Sequence, residues 1–554
     1  MAEKFRLEKA DSYCAEPVYE AAVSEEMMPA GDGVRLRTVI IRPVTDDPVP
    51  VVSIRTCYPG NDEQYRSMGQ EFASRGIACV YQYCRGTGGS EGVWEPNVND
   101  RSDGLDMLSS LCGRDWVENI GVFGCSYLAF TGWIVADILP EKVKTVYLTH
   151  YGTFRHTSAY KDGLFRQDVL TSWAMGNAGK KVDADYLTSA RYMPQERVDE
   201  DLWGIRLDWY RSWITNTDRS AEYWNSGVWK LLQEIPGRVK VPVYIAEGWY
   251  DHHLGSAIET YEALDDEIKK KSVFQIGAWN HGFHPVIFGH KDKIANADNL
   301  DQVRAFNWFH SILKEKKEPE GEIRSYVIGA DSWYSDSGFR MEHDKKLRLY
   351  LGDKGPDGVH TLCRGAGGGA GSCSYIYDPE EPLFTHGAES LLMTAGGQGS
   401  LRQPAPDYRG DVISFVSEPM DEETILGRIR LCLTVSSDAD DTAFTFKVSE
   451  VMEDGTAWHI RNGITTLGYR NQSPERISYT PGEKVRIVID SWHIAWKLGK
   501  GSRIRVDVSS SNFPEFALHS NYAGVWSQIE HTRRAKQTIY YGGGDDAYLE
   551  LPLM

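Results

Sequence analysis

The pattern of apolar and polar positions changes character at about residue 340. Before that point, short β-branched runs alternate with stretches of helical spacing. We predict strands at 34–40, 49–54, 77–81, 120–123, 143–149, 243–246 and 272–276, and helices at 63–75, 103–111, 128–139 and 253–264. Strands that alternate with helices favour a mostly parallel sheet covered on both faces. The first strand alternates apolar and polar positions and is therefore predicted at an edge of that sheet.

Residues 154–240 interrupt this alternation. The segment is polar, with helix-like spacing, and contains Trp173, Trp203, Trp209, Trp213, Trp224 and Trp229. An insertion that follows a strand of a parallel sheet lies over the carboxyl ends of the strands, so we predict a helical cap there. Most of the tryptophans are expected to form the core of the cap, with one or two lining a pocket.

From residue 341 onward helical spacing is replaced by alternating runs between Gly, Asp and Asn turns. Such runs occupy 346–351, 429–435, 444–451, 485–492 and 504–509. About 200 residues of this pattern predict a β-sandwich or jelly roll. The predicted organisation is an α/β domain in two parts (1–153 and 241–340), a cap (154–240) and a β domain (341–554).

The acidic balance of the chain limits its partners. With 60 basic and 79 acidic residues, the net charge is −19, which disfavours nucleic acid and anionic membrane surfaces. No apolar run approaches the ~18 residues of a membrane span, and the expected location is cytoplasmic. Nine cysteines without a CxxC pair favour reduced thiols, and Cys363 and Cys373 lack two further zinc ligands. We expect no cofactor and no metal.

The segment 121–129 reads as a buried strand that turns sharply into a helix, with Ser126 at the turn. A serine in this position exposes its hydroxyl above the carboxyl end of a parallel sheet, where a helix N-terminus stabilises negative charge. The match to the Gly-x-Ser-x-Gly pattern is incomplete, because Leu128 replaces the last glycine. The neighbouring Cys125 is a weaker candidate nucleophile. The turn needs a small residue two positions before the nucleophile, and that residue is Gly124 for Ser126 but Phe123 for Cys125.

A serine nucleophile needs a histidine base and a carboxylate that orients the base. In the chain order Ser, acid, His, the fitting positions are Asp251, after the strand at 243–246, and His281, after the strand at 272–276. His284 lies in the same loop as His281 and is the alternative base, although Pro285 follows it as in a turn. His252 and His253 are expected to open the next helix and to point away from Asp251.

Two donors are needed for the oxyanion that develops during acyl transfer. The backbone N–H of Tyr127 is one of them. Tyr58, in the loop after the strand at 49–54, is a candidate for the other, although a tyrosine that precedes a proline more often has a structural role.

Four segments together resemble one family. They are Tyr58 in its loop, Gly-Cys-Ser-Tyr-Leu at 124–128, Gly-Trp-Tyr-Asp at 248–251 and Gly-Ala-Trp-Asn-His at 277–281. The family comprises bacterial cocaine esterase, the α-amino-acid ester hydrolases, glutaryl-cephalosporin acylase and the Xaa-Pro dipeptidyl-peptidases, and the resemblance spans nearly the whole chain.

The resemblance implies a specific architecture and mechanism. It implies an α/β-hydrolase fold with a helical cap, followed by a jelly roll that helps to close the cleft. It also implies a triad of Ser126, His281 and Asp251, with the Tyr58 hydroxyl and the Tyr127 N–H as oxyanion donors. Relatives are often dimeric, so a homodimer is a further expectation.

Two positions depart from the family pattern. Ala129 and Tyr83 stand where relatives usually have Gly and Asp, and the chain lacks a clear acidic cluster for a substrate α-amino group. The favoured activity is therefore hydrolysis of a small carboxylic ester. A dipeptidyl-peptidase or amide acylase is the alternative, and a carbohydrate-binding protein with an inactive hydrolase domain is a remote one.

Overall fold

The computed structural model of the protein describes residues 4–5, 13–287, 300–336, 344–365, 369–389 and 397–554. Strands up to residue 336 are β1 (Lys4–Phe5), β2 (Ala21–Pro29), β3 (Arg35–Pro43), β4 (Val49–Thr56), β5 (Ala78–Tyr83), β6 (Val117–Cys125), β7 (Val143–Thr149), β8 (Tyr160–Lys161), β9 (Leu164–Phe165), β10 (Val243–Gly248), β11 (Val273–Gly277), β12 (Glu322–Val327) and β13 (Ser332–Asp336). Helices are α1 (Asp62–Ser74), α2 (Asp100–Cys112), α3 (Tyr127–Trp133), α4 (Arg155–Ala159), α5 (Gln167–Gly176), α6 (Tyr186–Arg191), α7 (Val198–Asp201), α8 (Asp208–Thr215), α9 (Gly227–Glu234), α10 (Leu254–Glu262), α11 (Asp266–Lys269) and α12 (Asp301–Phe309).

The first sheet is mostly parallel. Among the described residues its strand order is β1-β13-β12-β11-β10-β7-β6-β4-β5-β3-β2, with parallel pairing from β5 through to β12. The inner strands β4, β5, β10 and β11 are buried along their whole length, as expected where helices cover both faces. Because the parallel strands share one direction, the loops after β4, β6, β7, β10 and β11 meet at the same edge of the sheet.

Two predicted elements differ from the structure. The strand predicted at 34–40 is β3, which is not an edge strand, because β2 pairs with it over its full length. The helix predicted at 128–139 ends at Trp133. Beyond it, the N–H groups of Val135 and Ala136 bond to carbonyls three residues back rather than four, so the chain tightens into turns before Pro140.

The segment predicted as a cap contains α4 to α9 and the hairpin β8–β9, all between β7 and β10. It contains buried aromatic side chains of its own, including Trp203, Trp224 and Trp229. The segment follows β7 directly, so its first helices lie above the edge of the sheet where the parallel strands end.

The carboxyl-terminal part is all β. Its strands are β14 (Lys346–Lys354), β15 (His360–Cys363), β16 (Gly371–Tyr377), β17 (Arg402–Gln403), β18 (Ile413–Ser417), β19 (Thr424–Ser437), β20 (Ala443–Val451), β21 (Ala457–Thr466), β22 (Val485–Lys497), β23 (Arg503–Ser509), β24 (Ala535–Tyr541) and β25 (Tyr548–Pro552). Pairing runs from β19 through β22, β21, β20, β23, β18, β15, β14 and β25, and β25 pairs back with β19, which closes the ring.

The expectations about membrane-spanning segments and about cysteines can be compared with the described residues. None of their helices combines the length and the apolar character needed to cross a bilayer. All nine cysteines are free thiols.

Candidate active site

Ser126 occupies the sharp turn between β6 and α3. Its backbone adopts φ 58° and ψ −127°, a conformation that costs a residue other than glycine about 1–3 kcal/mol. The strand and the helix on either side hold the turn, and the Ser126 N–H donates to the Thr149 carbonyl at 3.0 Å. A Cβ atom on Gly124 would overlap the carbonyl of Leu128, so the turn needs a glycine there. The final glycine of the motif is replaced by Leu128, whose side chain is buried.

The three predicted triad residues meet at the carboxyl edge of the sheet. His281 Nε2 lies 2.9 Å from Ser126 Oγ, and His281 Nδ1 lies 2.8 Å from Asp251 Oδ2. Asp251 is fully buried, and its Oδ1 accepts the backbone N–H of His253 at 2.7 Å. Burial opposes ionisation of Asp251, but attraction to His281 and His150 outweighs it and holds the pKa of this carboxyl well below its usual range. The carboxylate is therefore charged at neutral pH.

The two predicted oxyanion donors lie in the same cavity as Ser126. Tyr127 is the first residue of α3, so its N–H has no acceptor in a preceding helical turn. The Tyr58 hydroxyl accepts the Trp173 indole N–H at 2.9 Å, and burial raises the pKa of Tyr58 well above its usual range. This phenol stays neutral and keeps its own proton to donate.

The alternative candidates occupy other places. His284 is exposed, and its N–H donates to Asn280 Oδ1 at 3.1 Å within a turn. The expectation that His252 points away from Asp251 is wrong, because its Nδ1 lies 3.5 Å from Asp251 Oδ1. His253 Nδ1 instead lies 2.8 Å from Ser158 Oγ. The backbone turns at Asp251, whose Oδ1 accepts the His253 N–H just before α10 begins at Leu254. Burial of the Cys125 thiol raises its pKa well above its usual value, which disfavours a thiolate.

A second histidine, His150, contacts Asp251 and was not identified from the sequence. His150 directly follows β7, has a φ of 52° and is fully buried. Its Nδ1 lies 2.6 Å from Asp251 Oδ2 and 3.4 Å from Glu247 Oε2, so Asp251 is shared by two imidazoles. The available signal was its position, since residues just past parallel strands meet at one edge of the sheet.

Glu247 and His150 form a buried acid–base pair behind the triad. Burial opposes the charged form of His150, but attraction to Asp251 and contacts with both carboxylates raise its pKa to about 10. Burial, followed by repulsion from Asp251, raises the pKa of Glu247 above its usual value. At neutral pH we therefore expect His150 to be a cation that neutralises part of the charge of Asp251.

Relative to wild type, Glu247→Gln is expected to gain stability as the pH rises from 4.5 to 5.5. A carboxyl with a raised folded pKa binds more protons when folded, so its contribution to stability falls as pH rises above its unfolded pKa of about 4.5. Below about pH 5.5, His150 is mostly protonated in both the folded and the unfolded state, and the other buried histidines contribute equally to both proteins. Urea midpoints followed by tryptophan fluorescence measure the difference, with the exposed Glu267→Gln as control. Parallel curves for wild type and Glu247→Gln would contradict the assignment.

The ligand atoms of His150, Asp251 and His281 lie within 4.8 Å of one another, a spacing compatible with a metal site. The distances from Asp251 Oδ2 to the two imidazoles are 2.6 and 2.8 Å. Ligands that bind one zinc ion at about 2.0–2.1 Å lie roughly 3.3 Å apart in a tetrahedral site. The observed spacing is that of hydrogen bonds and does not fit a bound zinc ion.

Two cavities flank the Ser126–His281 pair. The cap cavity, of about 600 Å³, is lined by residues of α4, α5 and α8 and by the loops after β4, β6, β7, β10 and β11. The second cavity, of about 530 Å³, lies towards α1 and α12. Trp173 and Trp213 are the tryptophans of the cap segment that line the cap cavity. A carbonyl carbon at Ser126 therefore has one compartment on each side.

The β domain contacts the loop that contains Asp251, and its described residues do not line either cavity. Arg461 donates to the Trp249 carbonyl, and the Tyr250 hydroxyl donates to the Ile460 carbonyl at 3.3 Å. Among the described residues, none that lines either cavity lies beyond Val303. The expectation that this domain helps to close the cleft therefore does not match the described lining, because its contacts lie behind Asp251 and on parts of the cap that do not line the cavities, such as Arg166 and Asp218.

Family models match both parts of the chain. The X-Pro dipeptidyl-peptidase (S15 family) model matches residues 32–283, and the X-Pro dipeptidyl-peptidase C-terminal non-catalytic domain matches residues 315–550. The chain belongs to the CocE/NonD and X-Pro dipeptidyl-peptidase-like family of hydrolases. A curated member, cocaine esterase of Rhodococcus sp. (strain MB1 Bresler), is 28% identical over an alignment that covers 96% of this chain and 99% of that protein.

Solved structures of similar proteins share the fold over the whole chain. An aminopeptidase from a marine sediment Thaumarchaeota archaeon superposes with a TM-score of 0.82 at 19% identity, covering 100% of this chain and 98% of the other. An α-amino acid ester hydrolase superposes with a TM-score of 0.81 at 20% identity, covering 100% of both chains. At these identities the likeness concerns the fold alone.

Proposed function

We propose that the protein is a serine hydrolase that cleaves a carboxylic ester through an acyl-enzyme. We assign it an α/β-hydrolase fold with a cap at 154–240 and a carboxyl-terminal jelly roll. The observation that carries the proposal is the continuous chain of contacts from Ser126 Oγ through His281 to the buried carboxylate of Asp251, at 2.9 and 2.8 Å. These are the distances at which a histidine can take a proton from a serine hydroxyl.

The first half of the reaction forms the acyl-enzyme. Ser126 Oγ attacks the carbonyl carbon while its proton passes to His281 Nε2, and the carbonyl electron pair moves onto the oxygen. The imidazolium that forms is stabilised by Asp251. Collapse of the tetrahedral intermediate breaks the bond to the leaving alcohol, which takes the proton from His281 Nε2.

The second half repeats these steps with water. His281 Nε2 accepts a proton from a water molecule, whose oxygen attacks the acyl carbon. The intermediate expels Ser126 Oγ, which recovers its proton from His281, and the carboxylic acid leaves. Both halves pass through an oxyanion held by the Tyr58 hydroxyl and the Tyr127 N–H. Support for Tyr58 comes from Trp173, whose indole N–H donates to the phenol oxygen, and from the place of the phenol in the cavity that Ser126 lines.

An ester is favoured over a peptide by the composition of the cap cavity. Among the described residues that line it, none is an Asp or Glu that could bind the ammonium group of a peptide N-terminus. Ester leaving groups also depart more easily than amines. The cavity, of about 600 Å³, has room for acyl groups of substantial size.

A substrate panel tests this function. We expect turnover of 4-nitrophenyl esters from acetyl to octanoyl, and much slower turnover of Xaa-Pro-4-nitroanilides. Turnover of the anilides alone would replace the esterase by a dipeptidyl-peptidase. Turnover of neither, together with retention on a glycan column, would favour the carbohydrate-binding alternative.

A further inference from the structure

Arg155 is a buried cation in the wall of the cap cavity. It is the first residue of α4, and only 6% of its surface is exposed. Its guanidinium lies over the Trp213 ring at 4.6 Å from the centroid and near Trp229 at 5.9 Å. The two indoles hold the guanidinium group in place without neutralising it.

Within the part of the chain that the structure describes, Arg155 has no hydrogen-bond acceptor and no carboxylate partner. Its Nε is buried without a partner. Other buried arginines are paired, as Arg55 is with Asp100 at 3.3 Å and Arg166 is with Glu389 at 2.7 Å. A buried cation without a counter-charge is costly, so the lack of a partner at Arg155 calls for an anion from outside the chain.

The other described residues that line the cap cavity offer no negative charge to Arg155, so a ligand would have to supply it. Among the described lining residues of this cavity, Arg155 is the one Arg or Lys, and none is acidic. The lining beside it includes Val169, Leu170 and Trp173, which favour an apolar body. By contrast, Asp301 lines the second cavity. The two compartments on either side of Ser126 therefore differ in charge.

We propose that the cap cavity binds the carboxylate of an anionic substrate and that Arg155 holds it. This inference rests on the proposed function and names its substrate class, an ester with an apolar body and a carboxylate on its acyl or its alcohol side. A planar guanidinium matches a carboxylate through two parallel hydrogen bonds. The carboxylate also fixes the direction in which the ester lies across Ser126.

Matched esters test the proposal and distinguish its two sources of negative charge. The acyl arm compares mono-4-nitrophenyl terephthalate with 4-nitrophenyl 4-carbamoylbenzoate, whose amide is neutral and of similar shape. The rigid ring prevents the carboxylate from attacking its own ester. The alcohol arm compares 4-(butanoyloxy)benzoate with 4-(butanoyloxy)benzamide. The quantity measured is the ratio of kcat/KM for the acid to that for the amide.

We expect a ratio of roughly 10 to 100 in one arm, the value of a charged hydrogen-bonded pair. Arg155→Gln should bring that ratio close to one, and Arg155→Lys should leave an intermediate value because it keeps the charge without the planar fork. Arg206→Gln, on the exposed surface of the same cap, should leave the ratio unchanged. A ratio near one in both arms, or an equal ratio in wild type and Arg155→Gln, would overturn the proposal.

A binding measurement separates this proposal from the proposed function. Ser126→Ala is titrated with 4-methylbenzoate and with 4-methylbenzamide by calorimetry. Tighter binding of the acid that disappears in Ser126→Ala/Arg155→Gln supports the anion site even if no ester is turned over. Equal affinity for the acid and the amide rejects the anion site even if esters are turned over rapidly.

Discussion

Replacing Ser126 with alanine is expected to lower kcat for a 4-nitrophenyl ester by about 10⁶-fold. The substitution removes the atom that bonds to the acyl carbon, and His281 is left with no hydroxyl to activate. The residual rate comes from the oxyanion donors alone, which orient and polarise the carbonyl for attack by water. Release of 4-nitrophenol at saturating substrate measures the loss.

Cys125→Ala is the matched control for this prediction. Its thiol is adjacent to Ser126 in the chain and lines the same two cavities, yet burial raises its pKa and keeps it protonated. We expect this variant to keep most of the wild-type rate. A fluorophosphonate probe should add its mass to wild type and to Cys125→Ala, but not to Ser126→Ala. Labelling of Ser126→Ala would assign the nucleophile to another residue.

The three residues that the sequence predicts as a triad lie in contact because each of them follows a strand. Ser126, Asp251 and His281 come after β6, β10 and β11, and parallel strands bring those loops to one edge of the sheet. Spacing alone could not choose between His281 and His284. The choice depends on which way the loop turns, and Asn280 directs that turn by accepting the N–H of His284.

The partners of the charged side chains around the site, His150 and Arg155, could not be predicted from the positions of the strands. His150 and Arg155 both follow β7, at the same edge of the sheet, but nothing in the local sequence reveals the partner of either. His150 reaches Asp251, about 100 residues away in the chain, whereas Arg155 reaches two tryptophans and no carboxylate among the described residues. Burial without a partner is a property of the packed cavity and not of the local pattern.

The elements that the sequence misjudged are those defined by tertiary contacts. The apolar and polar alternation of β3 resembles that of an edge strand, yet β2 covers it through a row of main-chain pairs. The alternating runs after residue 341 predicted that strands are present, but they did not predict the order of those strands in the sheet. The pairing of β25 with both β14 and β19 closes the ring through residues more than 100 positions apart.

Replacing Asp251 with asparagine is expected to lower kcat by about 10⁴-fold. The carboxylate accepts on both oxygens, from the His253 N–H at Oδ1 and from His281 at Oδ2, and His150 Nδ1 lies 2.6 Å from Oδ2. An amide has a single acceptor oxygen. If that oxygen faces His253, the amide N–H₂ points at His281 Nδ1 and selects the tautomer whose Nε2 carries a proton. That tautomer cannot accept the proton of Ser126.

His150→Gln tests whether the proposed role of Asp251 depends on its second imidazole neighbour. This variant keeps Asp251 facing His281, so we expect a much smaller loss in kcat than in Asp251→Asn. The two rates, measured on one 4-nitrophenyl ester with circular dichroism to confirm folding, decide the point. A kcat for folded Asp251→Asn within about tenfold of wild type would show that orientation of His281 does not depend on this carboxylate. An equal loss in both variants would instead make His150 part of the orienting group.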